Sequence, residues 1–200
     1  MAKKINCFIP VQEKNQVIET VNGLKANELV AKIYLLATED FNEAIEGCEV
    51  VKIDSLQSTA TVKKIAELSD APYSLIYTKY TTLELGYFAL ERIVNLAEDS
   101  NASMLYADHY QITDGVKKAS PVIDYQFGSL RDDFNFGSVL FYNAEALKCG
   151  ASRMKQDYKF AGLYDLRLKV AQKGELCHIN EYLYTEIEHD NRKSGAKIFD

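Results

Sequence analysis

The first hundred residues alternate short apolar runs with amphipathic stretches. Helices are predicted near Glu13–Asn22, over Thr59–Leu68, and over Leu83–Ala97, where apolar side chains recur at steps of three and four residues. The apolar runs between them predict buried strands at Ile5–Pro10, Lys32–Ala37, Glu49–Ile53, Tyr73–Tyr77 and Met104–Ala107. Buried strands separated by helices are typical of a parallel sheet that is covered on both faces.

The pattern changes after residue 108. Asp114-Gly115 lies between two short strand-like segments, which is a strong hairpin signal. Beyond it the pattern predicts, in order, a strand at Phe136–Tyr142, helices at Ala144–Lys148 and Phe160–Gln172, closing strands at Leu176–Ile179 and Tyr182–Glu186, and a polar tail from Glu188 to Lys197. No repeat or linker interrupts the chain. We therefore expect one α/β domain over residues 1–200, with a parallel half (about 1–108) and a mixed half (about 109–200). Such a domain can also be one part of a longer protein.

Composition and charge narrow the classes of function. The chain is 47% hydrophobic and carries a net charge of −6, without the basic surface of a nucleic-acid binder. An acidic surface also disfavours docking to anionic membranes. No apolar run approaches the roughly 20 residues that span a bilayer. The four cysteines are scattered and lack metal-ligand spacing, so we expect reduced thiols in a cytoplasmic protein.

The ends of the predicted strands indicate where a ligand would bind. In open α/β sheets, ligands bind beyond the carboxyl ends of the strands. This rule places five strand ends around one crevice: Pro10-Val11, Ala37–Asp40, Asp54-Ser55, Thr78–Thr81 and Asp108. The first of them has no Gly-x-Gly-x-x-Gly loop or other glycine-rich loop, and the chain has no P-loop and no Gly-x-Ser-x-Gly elbow. These absences argue against dinucleotide oxidoreductases, P-loop NTPases, α/β-hydrolases and sugar nucleotidyltransferases.

Four segments, in their order and spacing, carry a resemblance to a known family. They are Ile9-Pro10-Val11; Leu105–Asp108 with Asp114-Gly115 and Lys117 after it; Tyr164–Leu168, leading to Lys173-Gly174; and His178–Tyr184. With them the chain resembles family-2 glycosyltransferases of the GT-A fold over nearly its whole length. The resemblance implies a mostly parallel central sheet flanked by helices. It also implies transfer of a sugar from a nucleotide-sugar donor to a glycan or glycoconjugate acceptor, as in polysaccharide biosynthesis. The parallel half would bind the nucleotide and the mixed half the acceptor.

The acids that perform this chemistry in the family are replaced here. A divalent cation held by an Asp-x-Asp motif normally neutralises the departing diphosphate, and a further Asp deprotonates the acceptor. The metal motif falls on Thr78-Lys79-Tyr80, the base on Gly162-Leu163, and the acidic pair that holds the nucleoside on Ala37-Thr38. We therefore expect no metal cofactor. His189 matches a histidine that completes the metal site in some relatives, and is interpreted as a remnant or a loop residue.

Three acids are candidates for the missing catalytic base. Asp165 lies near the acceptor side, although an acid early in a helix also stabilises the helix dipole. Asp132 and Asp133 lie near the expected acceptor position, although they also suit a solvated turn.

Five residues are candidates for nucleotide binding: Pro10, Asp40, Asp54, Lys79 and Asp108. Lys79 could supply positive charge where the metal would sit, or it could be an ordinary surface lysine. Asp40 and Asp54 could hold ribose or base, or could instead shape turns. Asp108 matches the resemblance, and a structural hydrogen-bonding role is its alternative. Two functions stay open at this point: a metal-independent glycosyltransferase, and a non-catalytic domain that binds a nucleotide, a glycan or a protein.

Overall fold

The structure, a computed structural model, describes residues 2–126 and 134–188. Its helices are α1 (Lys14–Lys25), α2 (Thr59–Leu68), α3 (Ala89–Ser100), α4 (Ala144–Ser152) and α5 (Gly162–Ala171). Its strands are β1 (Ile5–Val11), β2 (Val30–Ala37), β3 (Glu49–Lys52), β4 (Tyr73–Tyr77), β5 (Thr82–Leu85), β6 (Met104–Thr113), β7 (Val116–Ser120), β8 (Val139–Asn143) and β9 (Leu176–Ile187). No helix in the described ranges is long and apolar enough to cross a membrane.

One sheet contains all of these strands, in the order β3-β2-β1-β4-β8-β6-β9-β5, with β7 beside β6. The strands β3, β2, β1 and β4 are parallel. Beyond β4 the sheet is mixed, because β8 is antiparallel to both β4 and β6, and β6 is parallel to β9. The α/β fold class is therefore confirmed. The strand predicted at Met104–Ala107 as part of the parallel half, β6, does not lie beside β4, since β8 from the second half of the chain is inserted between them.

Helices cover both faces of the sheet, as the apolar strands predict. On one face, Val17 and Val21 of α1 and Ile93 of α3 pack into one hydrophobic cluster. On the other, Val62 of α2 and Leu166 of α5 belong to a second cluster, which α4 completes. The central parallel strands β1 and β4 are buried along their whole length because neither of their faces meets water.

The helix predicted over Leu83–Ala97 is wrong in its first half. Residues 82–85 form β5, which pairs with β9, and α3 begins only at Ala89. Gly86 separates the two elements, and its N–H donates to the Leu183 carbonyl at 2.8 Å. A Cβ at this position would lie 2.9 Å from the same carbonyl oxygen, so only glycine fits. The apolar periodicity misled the prediction because β5 is buried by tertiary contacts that the pattern does not encode.

The second half follows the prediction more closely. Asp114 and Gly115 both have positive φ, 52° and 76°, which confirms the hairpin between β6 and β7. The two predicted closing strands are one continuous strand, β9. All four cysteines are free thiols; Cys7 is buried, Cys48 and Cys177 are half-buried, and Cys149 is exposed.

Candidate functional site

Two adjoining cavities lie beyond the carboxyl ends of β3 and β4. The strand-end cavity, about 780 Å³, is lined by residues 54–57, 78–81 and 159–160. The helix-side cavity, about 550 Å³, reaches from Thr78 and Lys79 to the start of α5. Gln57, Thr78, Lys79 and Phe160 line both cavities. The two volumes therefore form one crevice with Lys79 at its centre.

Lys79 lies in the loop between β4 and β5 and is held by a buried carboxylate. Its Nζ is 2.5 Å from Glu186 Oε2; the lysine side chain is 44% exposed and the glutamate side chain 5%. Gln111 Nε2 donates to the same carboxylate at 3.2 Å. Glu186 thus fixes an ammonium that still faces the crevice.

His109 lies on the other side of Glu186. Its Nε2 is 3.3 Å from Glu186 Oε1, and its ring stacks on Tyr184 with 4.9 Å between centroids. Burial lowers the pKa of His109, against the opposing effect of the Glu186 charge. The Tyr184 hydroxyl in turn accepts the Ser138 N–H at 2.9 Å, which joins β9 to the start of β8. Sequence reasoning missed Glu186, His109 and Gln111 as neighbours of Lys79, because they lie on β6 and β9, far along the chain.

Asp54 lies in the strand-end cavity, as predicted, and also shapes a turn. Its carboxylate accepts hydrogen bonds from the Ser55 N–H and the Ser58 hydroxyl, both at 2.8 Å. These two bonds lower the pKa of Asp54, the Ser58 bond most strongly. Ser58 is also the N-cap of α2. The structural role of Asp54 is thus visible, and its role towards a nucleotide stays a prediction.

The resemblance places the base at Gly162-Leu163, and neither residue leaves room for a carboxylate without a change in packing. A Cβ on Gly162 would lie 2.5 Å from the Ser58 carbonyl carbon and 2.6 Å from the Thr59 nitrogen, so a larger residue does not fit. Leu163, next along α5, is 6% exposed and lines the helix-side cavity. Asp165 pairs with Lys169 at 3.2 Å and is not among the residues that line either half of the crevice.

The other predicted site residues lie elsewhere. Pro10 is buried in β1 opposite Leu36, and Asp40 is exposed beyond the end of β2; neither lines the crevice. Asp108 is buried and lines a separate cavity of about 930 Å³. Its carboxylate accepts the Val122 N–H at 2.8 Å and lies 3.0 Å from His178 Nε2. Asp132, Asp133 and His189 fall outside the described residues.

No group of three or more His, Cys, Asp or Glu residues within residues 2–126 and 134–188 is placed to hold a metal ion. At the expected metal position the crevice presents the Lys79 ammonium instead.

Comparison with solved structures identifies the architecture. Residues 1–349 of S. aureus TarS, in complex with UDP-GlcNAc, match with a TM-score of 0.65 at 7% identity, over 98% of this chain and 62% of that chain. The 4-diphosphocytidyl-2C-methyl-D-erythritol synthase of Anaerococcus prevotii matches with a TM-score of 0.58 at 11% identity, over 90% and 88% of the two chains. The chain has the GT-A fold.

The GT-A fold expected from the resemblance is thereby confirmed. The chain spans 62% of the TarS fragment. No family model matches the sequence, and no curated protein matches it either. At identities this low the likeness establishes the fold alone, and function has to be argued from the crevice.

Proposed function

We propose that this protein binds a nucleotide-diphospho-sugar in the crevice and transfers the sugar to a glycan or glycoconjugate acceptor without an Asp-x-Asp metal site. The observation that carries the proposal is the position of Lys79. The Lys79 ammonium is a fixed cation just after the end of β4 in a GT-A fold, and it lines both the strand-end and the helix-side cavity. The strand-end cavity would take the nucleoside and the helix-side cavity the sugar.

The chemistry requires positive charge at this point. When the acceptor oxygen attacks the anomeric carbon, the bond from that carbon to the diphosphate oxygen breaks, and the diphosphate gains negative charge. A metal ion usually compensates this charge. The Lys79 ammonium would do so here, and the 2.5 Å contact with Glu186 holds it in place before a ligand arrives. A preplaced cation needs less reorganisation than a mobile surface lysine.

The test is calorimetric titration of nucleoside diphosphate sugars in the presence of EDTA, with wild type and Lys79→Ala. We expect metal-independent binding that the substitution weakens by roughly ten- to a hundredfold, the loss typical of a charge-assisted hydrogen bond. Addition of Mn²⁺ or Mg²⁺ should not restore or raise the affinity.

Two further variants make the result specific. Lys118→Ala removes an exposed lysine of β7, outside the crevice, and should bind like wild type. Lys79→Ala combined with Glu186→Gln avoids leaving a buried carboxylate without its cation, so it separates lost binding from lost stability. Donor affinity that survives in this double variant would contradict the role of Lys79. Absence of binding to every donor would overturn the proposal itself.

A non-catalytic binding domain is the second candidate, and the start of α5 favours it. Leu163 stands where the base would be, and Gly162 is packed against backbone. A missing general base typically lowers a rate by roughly 10²–10⁴-fold. The two functions are distinguished by an NMR assay that monitors release of nucleoside diphosphate from the donor in the presence of candidate acceptors. Turnover lost on changing Asp165, Asp132 and Asp133 to Asn would identify a transferase with a displaced base; donor binding without turnover would identify a binding domain.

A further inference from the structure

The helix-side cavity is lined by cations without any carboxylate among its described residues. Arg167 of α5 and Lys79 both line it, together with the polar side chains of Gln57, Thr78 and Asn135. The unpaired Arg167 guanidinium, the Lys79 ammonium that Glu186 holds from outside the cavity, and several hydrogen-bonding groups thus face a volume of about 550 Å³. Such a cavity is electrostatically suited to an anion.

Arg167 has no anionic partner in the described part of the chain. Its Nε atom is buried and has no hydrogen-bond partner, and the ionisable groups that interact with it there are the phenols of Tyr142 and Tyr164. Burial lowers the pKa of Arg167 from its usual value, although a guanidinium remains charged in proteins. A charge held in this way destabilises the protein, unless a ligand supplies the missing anion.

The sequence of α5 explains why the partner is missing. Residues four apart on a helix are neighbours, and an acid at position 163 could pair with Arg167. That position is Leu163, which is 6% exposed. Instead the guanidinium lies over the ring of Phe136, 5.2 Å from its centroid, and Phe136 also lines the cavity. Asp165 does not take its place, because it pairs with Lys169.

We propose that Arg167 binds an oxyanion, a phosphate or a carboxylate, in the helix-side cavity, with Lys79 on the opposite side of the same group. This proposal extends the proposed function, because it assigns a negative charge to the part of the ligand that lies beyond the nucleoside. The oxyanion belongs either to the donor's diphosphate or to a second group, such as a sugar carboxylate or an acceptor phosphate. A planar guanidinium offers two parallel donors to either one.

The experiment compares wild type with Arg167→Met, which keeps a flexible side chain over Phe136 and removes the charge. The probes are uridine, UDP, UDP-glucose, UDP-glucuronate and, on UDP-saturated protein, glycerol 3-phosphate. We expect Arg167→Met to lower the affinity for the anionic probe by roughly ten- to a hundredfold. If the variant loses affinity for UDP but not for uridine, the oxyanion at Arg167 is the donor diphosphate. If it loses affinity only for UDP-glucuronate or glycerol 3-phosphate, the oxyanion is the second group.

Thermal unfolding without ligand provides an independent readout. Arg167→Met should unfold at the same temperature as wild type or higher, because it removes an unpaired charge whose Nε atom is buried. Arg153→Met is the control: that arginine donates to the Lys169 carbonyl and to Gln172, outside the crevice, and its loss should not affect binding. Arg167→Lys should lose part of the affinity, since it keeps the charge and loses the planar fork.

Two results would overturn the inference: unchanged affinity of Arg167→Met for all five probes, or a markedly lower unfolding temperature of that variant, which would make Arg167 a packing residue. The proposed function fails separately. If wild type bound no uridine nucleotide, glycerol 3-phosphate and inorganic pyrophosphate would be titrated onto the free protein. Binding of either one that Arg167→Met loses would leave the anion site standing, and the donor assignment would fall.

Discussion

His109 lies in a buried position where protonation is unfavourable. Burial is the main cause that lowers its pKa; the Lys79 charge acts in the same direction, while Glu186 and Asp108 oppose it. The unfolded chain therefore takes up a proton at higher pH than the folded protein does. Between about pH 6.5, the usual value for histidine, and the lowered folded value, the unfolded state binds more protons. Stability must consequently fall as the pH drops through this window.

We predict that His109→Phe reduces this pH dependence. Phenylalanine can keep the stacking on Tyr184 and cannot take up a proton. The measurement is the free energy of unfolding by urea at several pH values from 7.5 to 5. The slope in wild type should exceed that of the variant by up to about 1.4 kcal/mol per pH unit, the limit for one proton. Equal slopes would mean that His109 is not the group responsible.

Individual site residues differed in how far the sequence could predict them. Lys79 and Asp54 were predicted at the crevice because both follow strands directly, and both line it. Arg167 was seen only as part of a resemblance, although a lone arginine in an otherwise apolar helix face is a usable signal. Glu186 could not be predicted, since its contact with Lys79 spans 107 residues and depends on the position of β9.

At the level of elements, the start of α5 is fixed by its contact with the start of α2. The Gly162 N–H donates to the Gln57 carbonyl at 2.7 Å, and the Thr59 N–H donates to the Tyr158 carbonyl at 2.8 Å. The two helix starts are therefore joined through backbone, directly beside the crevice.

We predict that Gly162→Ala destabilises the protein by about 1–3 kcal/mol, because the new methyl group must displace backbone atoms of α2. Gly23→Ala is the matched control: Gly23 lies inside α1, and a Cβ there meets no atom within 4 Å. That change should stabilise by up to about 1 kcal/mol, the difference in helix propensity. Urea unfolding measures both. If Gly162→Ala were as stable as wild type, the contact between α2 and α5 would be looser than described.

The boundaries of helices and strands show where the local sequence pattern is enough to predict the structure. The predicted limits of α2 and β4 match the structure to the residue, where Ser58 caps the helix and Pro72 directly precedes the strand. The prediction failed at β5, where leucines that suit a helix pair instead with the distant strand β9. Only the tertiary arrangement distinguishes the two structures there.

At the scale of the whole molecule, one sheet contains strands from both halves of the chain, and strands of the second half lie between strands of the first. β8 lies between β4 and β6, so the parallel strands have no direct pairing with the remainder of the first half. The sequence predicted the fold class from alternating strands and helices. It could not predict this insertion, because strand order is set by packing between distant segments.

We therefore predict one cooperative unfolding transition. Far-UV circular dichroism and tyrosine fluorescence should give coincident urea curves; the chain has thirteen Tyr and no Trp, so the fluorescence reports from both halves. Two separate midpoints would show that residues 1–108 and the mixed half unfold independently.

The pairing of β5 with β9 has a consequence for how the molecule forms. Thr82 pairs with Ile187, at the far end of the described chain. During synthesis β5 has its neighbour α1 from the start, but it has no strand partner until β9 has been made. Bringing β5 and β9 together closes a long loop, and the entropy of that loop is lost before the strands form stabilising contacts. This order of events slows folding. The wall that carries Glu186 is thus among the last parts of the sheet to be completed, and a ribosome-bound chain would carry an open strand edge that chaperones can recognise.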